Sequence, residues 1–259
     1  MKVIILAAGQ GTRLRPLTDN CPKCMVEVKG KSIIERQLDT MYGCGIKPED
    51  IIIICGYRND VLQEKLKGSG IHFVVNKEFE TTNMVYSLMC AEKLMEEERD
   101  IVVSYGDIIY EEAVLNKILA AQDDFSIIVD DGWQEYWSER CENPLDDAET
   151  LMFDEKSCLT EIGQKTTDLK KVQSQYIGLM RFQGQGLKAV LDISRKAKER
   201  SEKGLALWRT SRNYYKMYMT DLLQGLIDEG YCLRAVHIHR GWFEIDNYND
   251  LTVAESRMD

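Results

Sequence analysis

The run Val3-Ile4-Ile5-Leu6-Ala7-Ala8 leads straight into Gly9-Gln10-Gly11-Thr12-Arg13-Leu14-Arg15-Pro16-Leu17, and Pro22-Lys23 stands a few residues further on. The apolar half reads as a strand. The glycines after it let the backbone bend close to an anion with its N–H groups turned inward, and two arginines and a lysine follow within reach. No carboxylate lies between Lys2 and Asp19 to cancel that charge. The stretch reads as a cradle for nucleotide phosphates, and the rest of the chain can be searched for what such a cradle needs.

Outward from it, Met25-Val26-Glu27-Val28 is a short strand, and Ser32 is placed to cap a helix with Ile33, Ile34, Leu38 and Met41 on one face and Gly43 and Gly45 at its end. Ile51-Ile52-Ile53-Ile54-Cys55 is apolar on both faces, the pattern of a central parallel strand covered by helices. A helix over 59–66, a strand over 71–75, a helix from Asn83 to the acidic run Glu96-Glu97-Glu98 and a strand over 101–105 continue the alternation. That last strand stops at Gly106-Asp107, before a helix over 112–121 and a strand over 125–129. This order predicts an α/β, Rossmann-like three-layer fold with a mixed, mostly parallel sheet and ligands at the carboxyl ends of its strands.

From Asp130 to Asp147 the chain is aromatic and acidic without clear periodicity, which reads as a long functional loop or lid. A hairpin over 151–163, a returning strand over 176–182, helices over 187–203 and 216–229, strands over 232–238 and 242–245, and a closing helix from Asn249 complete the reading. The expectation is one domain over 1–259, with a nucleotide-binding half over 1–130 and an acceptor-binding, lid-bearing half over 131–259.

The net charge of −10 argues against a nucleic-acid surface, because counterion release needs clustered Lys and Arg. Of eight cysteines only Cys21 and Cys24 form a C-x-x-C pair, and nothing completes a zinc pattern around it. Cys44, Cys55, Cys90, Cys141, Cys158 and Cys232 read as scattered, small buried side chains, which fits a reducing compartment. The chain enters its first strand at once and carries no apolar run of membrane-spanning length, so a cytoplasmic protein without a membrane partner is expected. Oligomeric state is left open, a homo-oligomer included.

Gly9-x-Gly11 invites a dinucleotide reading, but Leu14 replaces the third glycine, and Cys55-Gly56 ends the second central strand where an acidic ribose contact belongs. No Gly-Lys-Ser/Thr follows the cradle, so a Walker A loop is excluded too. The whole run L-A-A-G-Q-G-T-R-L-R-P-L-T followed by P-K resembles the signature of the sugar-phosphate and choline-phosphate nucleotidylyltransferases. The resemblance implies that Leu6, Ala7, Ala8, Gly9, Gln10, Gly11 and Thr12, with Gly106, hold the base and triphosphate. It also implies that Arg13 meets the phosphates and Lys23 the α-phosphate and the incoming phosphate.

In that chemistry a phosphate or phosphonate oxygen attacks the α-phosphorus of a nucleoside triphosphate and pyrophosphate leaves. A phosphate monoester loses its second proton with a pKa of roughly 6, so no general base is required. Charge neutralisation and alignment are required, from Arg, Lys and Mg²⁺ held by carboxylates. Asp107 and Asp246, each at a strand end, match the family's metal-binding aspartates.

Thr82-Asn83-Met84-Val85-Tyr86-Ser87-Leu88 resembles the segment that reads the nucleobase, with Asn83 and Ser87 as polar contacts, and its Asn-x-x-x-Ser-Leu form is similar to the cytidylyltransferase branch, which favours CTP. The segment Trp133, Trp137, Arg140, Asn143-Pro144-Leu145, Asp147-Ala148-Glu149 resembles the acceptor loop of cytidylyltransferases that activate phosphorylated glutamine for a capsule modification. Trp133, Trp137, Glu149 and Tyr176 are accordingly the candidates to bind a small phosphorylated amine or amino acid, by carboxylate pairing and cation–π contact. Two alternatives stay open. One is a sugar-1-phosphate nucleotidylyltransferase using UTP, dTTP or CTP, and the other a catalytically silent nucleotide-sensing subunit.

Overall fold

The computed structural model describes residues 1–258. Strand β1 (Lys2–Ala7) ends at the cradle, and the short strands β2 (Glu27–Val28) and β3 (Lys31–Ser32) form a hairpin before helix α1 (Ile33–Gly43). Ser32 and Glu35 form a reciprocal capping box there, each side chain taking the other's backbone N–H. Then follow β4 (Ile51–Cys55), α2 (Asn59–Lys65), β5 (His72–Val75), α3 (Met84–Met89), α4 (Glu92–Glu96), β6 (Asp100–Tyr105), β7 (Ile108–Tyr110), α5 (Glu112–Ala120) and β8 (Phe125–Asp130). The second half contributes α6 (Trp133–Arg140), β9 (Glu149–Phe153), β10 (Leu159–Lys165), β11 (Gln175–Gln183), α7 (Gln185–Glu202), α8 (Met219–Asp228), β12 (Arg234–Ile238), β13 (Trp242–Glu244) and α9 (Tyr248–Arg257).

Seven strands make one sheet in the order β12-β8-β11-β6-β1-β4-β5, parallel throughout except for β11, which runs antiparallel to both of its neighbours. Side-chain alternation along β1 and β4 divides the core in two. Ile4, Leu6, Ile52 and Ile54 face one layer with Val85 of α3 and Leu223 of α8, while Val3, Ile5, Ile51 and Ile53 face the other with Leu38 of α1 and Leu115 of α5. Fully buried isoleucines such as Ile4 and Ile53 contribute about 1.5–3 kcal/mol each, which is why these runs occupy the centre.

A second, small ladder sets up the site. β7 and β13 pair antiparallel, Ile108 opposite Glu244 and Tyr110 opposite Trp242. In such a pair the residue before one strand lies beside the residues after the other, so Asp107 and Asp246 meet at one end, with Ile245 N donating to the Asp107 carbonyl at 2.9 Å.

Three expectations are corrected. The helix from Asn83 is two helices, because Cys90 N bonds back to both Tyr86 and Ser87 carbonyls and closes the first one tightly. The lid reading of 130–147 fails over its first part: Trp133–Arg140 is a helix packed into the core, with Trp133, Tyr136, Trp137 and Arg140 buried. Cys158 and Cys232 are not separate free thiols but a disulfide across 74 residues, tying the β9–β10 turn to the entry of β12, so these two give no support to a reducing compartment.

Candidate active site

The cradle is built by contacts that only small residues allow. Gly11 has φ 62°, and a Cβ there would stand 2.9 Å from Lys23 Cβ and 3.1 Å from Thr18 Cγ2. Its carbonyl accepts from Thr18 Oγ1 at 2.8 Å and Leu14 N at 2.9 Å, and Leu14 is buried, which turns Arg13 outward. Gly106 donates to the Leu6 carbonyl at 2.9 Å, and a side chain there would strike the same oxygen. The ends of β1 and β6 therefore lie together. A cavity of about 150 Å³ opens above them, lined by Leu6, Ala7, Ala8, Gly9, Lys23, Gly106 and Asp107 on one side and by Asn83, Met84 and Ser87 on the other.

Asn83 caps α3, its Oδ1 accepting from Met84 N at 2.8 Å. Behind it stands Asn76, a residue the sequence reading passed over. Asn76 is buried at the end of β5, and its amide donates to Thr82 Oγ1 and Ser87 Oγ, both at 3.0 Å, fixing the polar wall of the cavity.

At the mouth, Lys23 Nζ lies 2.7 Å from Asp107 Oδ2 and also pairs with Asp246 Oδ1, while Arg13 Nη2 lies 2.7 Å from Asp246 Oδ2. Burial disfavours the Lys23 ammonium, but the two aspartates outweigh it and hold its pKa above the ordinary value. Burial likewise works against the Asp246 carboxylate, and Lys23 and Arg13 overcome it, leaving its pKa low. Glu244 joins them: Asp107, Glu244 and Asp246 each offer an oxygen, all within 4.8 Å of one another. Burial, opposed by Arg140 and reinforced by the negative charge of Asp246 and Asp107, pushes the Glu244 carboxyl up to about 8. Sequence reasoning missed Glu244, although strand alternation puts it on the same side as Asp246, two residues on.

These groups fit a hard divalent cation. Asp107 Oδ1 is buried without a protein partner, and the donor set is all carboxylate oxygen, the preference of hard ions such as Mg²⁺, Ca²⁺ or Mn²⁺ rather than of softer metals.

Of the acceptor candidates, Trp133 and Trp137 are only 2% and 4% exposed. Their rings pack against each other and, with Tyr136 and Trp242, form an aromatic cluster, and Trp137 Nε1 donates to Asp147 at 3.0 Å. Neither presents a face to the cradle, so the expectation that they contact an acceptor is withdrawn; they are core residues holding α6. Glu149 and Tyr176 are placed differently. Tyr176 packs edge-on against Tyr105, centroids 5.6 Å apart, and Tyr105 leads directly into Gly106 and Asp107. The Tyr105 ring fits only because Gly178 has no side chain, whose Cβ would come within 2.5 Å of it. The Glu149 backbone is fixed by the Gln175 amide, which donates to its carbonyl at 2.7 Å and accepts its N–H at 3.4 Å. Burial raises the Glu149 carboxyl, against the pull of Lys165 and Arg212.

A larger cavity of about 640 Å³ lies elsewhere, against α1, α6 and the β7–β13 ladder, and none of the cradle residues line it. Half of its charged lining is self-paired, Lys31 with Asp39 and Arg257 with Glu139. Chemistry, not size, singles out the cradle.

A phosphate cradle after the first strand, facing a lysine set among carboxylates at the ends of β6 and β13, is the arrangement of a nucleotidyltransferase. Residues 3–175 match the MobA-like NTP transferase domain, and the chain belongs to that family. It is 39% identical over 258 residues, 98% of both chains, to the CTP:phosphoglutamine cytidylyltransferase of Campylobacter jejuni. Over 91 residues, 34% of this chain and 38% of the relative, it is 48% identical to the choline-phosphate cytidylyltransferase of Streptococcus pneumoniae. The solved structure of the CTP:phosphocholine cytidylyltransferase from S. pneumoniae shares the fold, with a TM-score of 0.71 at 22% identity over 100% of this chain and 99% of that one. Among the described residues no helix is long and apolar enough to cross a membrane.

Proposed function

We propose that this enzyme transfers CMP from CTP to a small phosphorylated amine or amino acid, with Mg²⁺ and release of pyrophosphate. The observation that carries the reading is the position of Lys23, which closes the nucleotide cavity on one side and bridges Asp107 and Asp246 on the other. Near-full-length similarity to a cytidylyltransferase supports CTP as the donor.

The backbone from Leu6 to Thr12 and Gly106 receive the nucleotide, with Asn83 and with Ser87, the latter braced by Asn76, toward the base. Arg13, 64% exposed at the side chain and held by Asp246, would turn from that carboxylate to the outer phosphates, and Lys23 meets the charge that builds up at the α-phosphate. Asp107, Asp246 and Glu244 would hold Mg²⁺, which when bound neutralises phosphate oxygens and aligns the triphosphate. Lys23 then exchanges its carboxylate partners for phosphate oxygens, both being anions at the same hand-off point. The attacking oxygen belongs to the acceptor and is already ionised near neutral pH, with a second pKa of roughly 6, so the chain supplies orientation rather than a base.

On the acceptor side, Glu149 offers a carboxylate to an ammonium group, and the Tyr176–Tyr105 pair an aromatic face for cation–π contact beside Asp107. Residues 1–130 would thus serve the donor and 131–259 the acceptor. A nucleoside triphosphate donor places the reaction in the cytoplasm.

The test is donor selectivity. With one fixed phosphorylated amine acceptor, pyrophosphate release from CTP should exceed that from UTP, dTTP, GTP and ATP by at least about tenfold, the scale of one or two lost base contacts. Equal turnover of all five, or preference for a purine nucleotide, would remove the cytidylyl assignment.

A further inference from the structure

The helix that replaces the expected lid has a second consequence. Its residues Tyr136 and Arg140, four apart and so on one face, both reach Glu244. The Tyr136 hydroxyl accepts from Glu244 N at 2.9 Å and donates to Glu244 O at 3.3 Å. The Arg140 guanidinium lies 2.9 Å from Glu244 Oε2. The same guanidinium donates through Nε and Nη2 to Asp250 at 2.8 and 3.3 Å. Asp250 in turn accepts the backbone N–H of Asp246 at 2.9 Å and of Asn247 at 3.2 Å.

We propose that Arg140 is a positioning residue for the carboxylates that bind the metal, aiming Glu244 directly and Asp246 through Asp250. This rests on the reading of Asp107, Glu244 and Asp246 as the metal ligands. An ion pair needed only to dock α6 on α9 would be complete with Asp250. Here the guanidinium gives its close contacts to both Asp250 and a ligand carboxylate, with Asp147 more distant at 3.8 Å, and tying one oxygen of Glu244 fixes the direction of the other. Its side chain is 3% exposed and lies over the Trp137 ring at 4.8 Å and the Tyr136 ring at 5.2 Å, so its own orientation is locked by packing. A planar, forked cation can face both carboxylates at once, whereas an ammonium of similar reach is a point charge that must favour one.

The test uses the full chain and Mn²⁺ as a spectroscopic probe, titrated by electron paramagnetic resonance without substrate turnover. Arg140→Lys should keep the far-UV spectrum but bind Mn²⁺ at least about tenfold more weakly, the scale of losing a group that orients a ligand. In a Glu244→Gln background, Arg140→Lys should cause a smaller further loss than in the wild type, because the direct arm to Glu244 is already gone and only the arm through Asp250 to Asp246 remains; a general structural role would weaken binding again by the same factor. Mn²⁺ affinity unchanged in Arg140→Lys, or fully additive losses in the double variant, would overturn the proposal. If Arg140→Lys does not fold, Asp250→Asn, which keeps the helix cap and loosens the anchor, makes the same measurement: a drop of similar size supports the proposal and wild-type affinity overturns it. Wild-type Mn²⁺ binding that survives Asp107→Asn would instead overturn the reading of the metal site itself.

Discussion

Lys23 is held between two carboxylates, Asp107 and Asp246, and its buried ammonium depends on them for its charge. Replacing Asp107 or Asp246 by Asn should lower Mg²⁺-dependent pyrophosphate release by at least about a hundredfold, as expected when a metal ligand at a developing charge is lost. Near wild-type release in either variant would remove that residue from the metal site. Lys23→Met should behave differently in the absence of nucleotide. It leaves Asp107, Glu244 and Asp246 without their ammonium, so the metal-free protein should melt at a lower temperature and Mg²⁺ should restore more of that loss than it adds to the wild type, by binding only the folded state. Equal Mg²⁺ shifts in both would contradict this. Asp107 and Asp246 were legible because each ends an apolar strand in a fold that puts chemistry there. Glu244 and Asn76 occupy equivalent places, yet each reads equally well as a solvated strand residue until the partner strand is known.

At the scale of the element, α6 shows how a helix escapes notice. Trp133, Tyr136, Trp137 and Arg140 have the i, i+3, i+4, i+7 spacing of a buried face, but the fourth member is a cation and the intervening residues Gln134, Glu135, Ser138 and Glu139 are polar, so the stretch looks like an acidic surface loop. The buried Arg is affordable because Asp250 and Glu244, neither of them near it in sequence, neutralise it, with Asp147 also 3.8 Å from Nη1. Trp137→Phe should therefore cost about 1–3 kcal/mol in urea denaturation, through the lost Nε1 bond to Asp147 and a smaller ring. The acceptor KM should stay within about twofold of wild type, well under the effect of a lost ligand contact; a large KM change at unchanged stability would restore the lid. The start of α1 was readable in advance, because the capping box of Ser32 and Glu35 is local. Lys65 and Ser32 hold the Glu35 carboxyl down to about 2. A carboxyl lowered in the folded state stabilises fully above its unfolded value of roughly 4.3 and loses that contribution as pH falls toward the folded value. Glu35→Gln should then cost about 1 kcal/mol near pH 7, discounted for the solvent exposure of the pair, and little near pH 2. A loss of stability independent of pH would contradict the ionic account.

Over the whole molecule, alternation of apolar strands and helices made the parallel sheet legible, since β1 and β4 have no polar face to turn outward. Pairings between distant segments were not. The reversed strand β11 lies between β6 and β8, and the β7–β13 ladder joins segments more than 130 residues apart, as Ile108 opposite Glu244 shows. The Cys158–Cys232 disulfide is of the same kind, since eight scattered cysteines admit many pairings that spacing alone does not rank. The reversal of β11 and the β7–β13 ladder bring Tyr176, Glu244 and Asp246 to the end of the sheet where β1 delivers the glycine-rich loop.

The central claim is that a phosphorylated amine or amino acid arrives opposite that cradle. It is tested by incubating the enzyme with CTP, Mg²⁺ and equal concentrations of phosphoglutamine, phosphocholine and glucose-1-phosphate, and reading the products by mass spectrometry. The account predicts a CDP-linked product of one of the nitrogen-bearing acceptors, dependent on Mg²⁺ and absent with Asp107→Asn. CDP-glucose as the main product, or CTP consumed with no CDP-linked product at all, would contradict it.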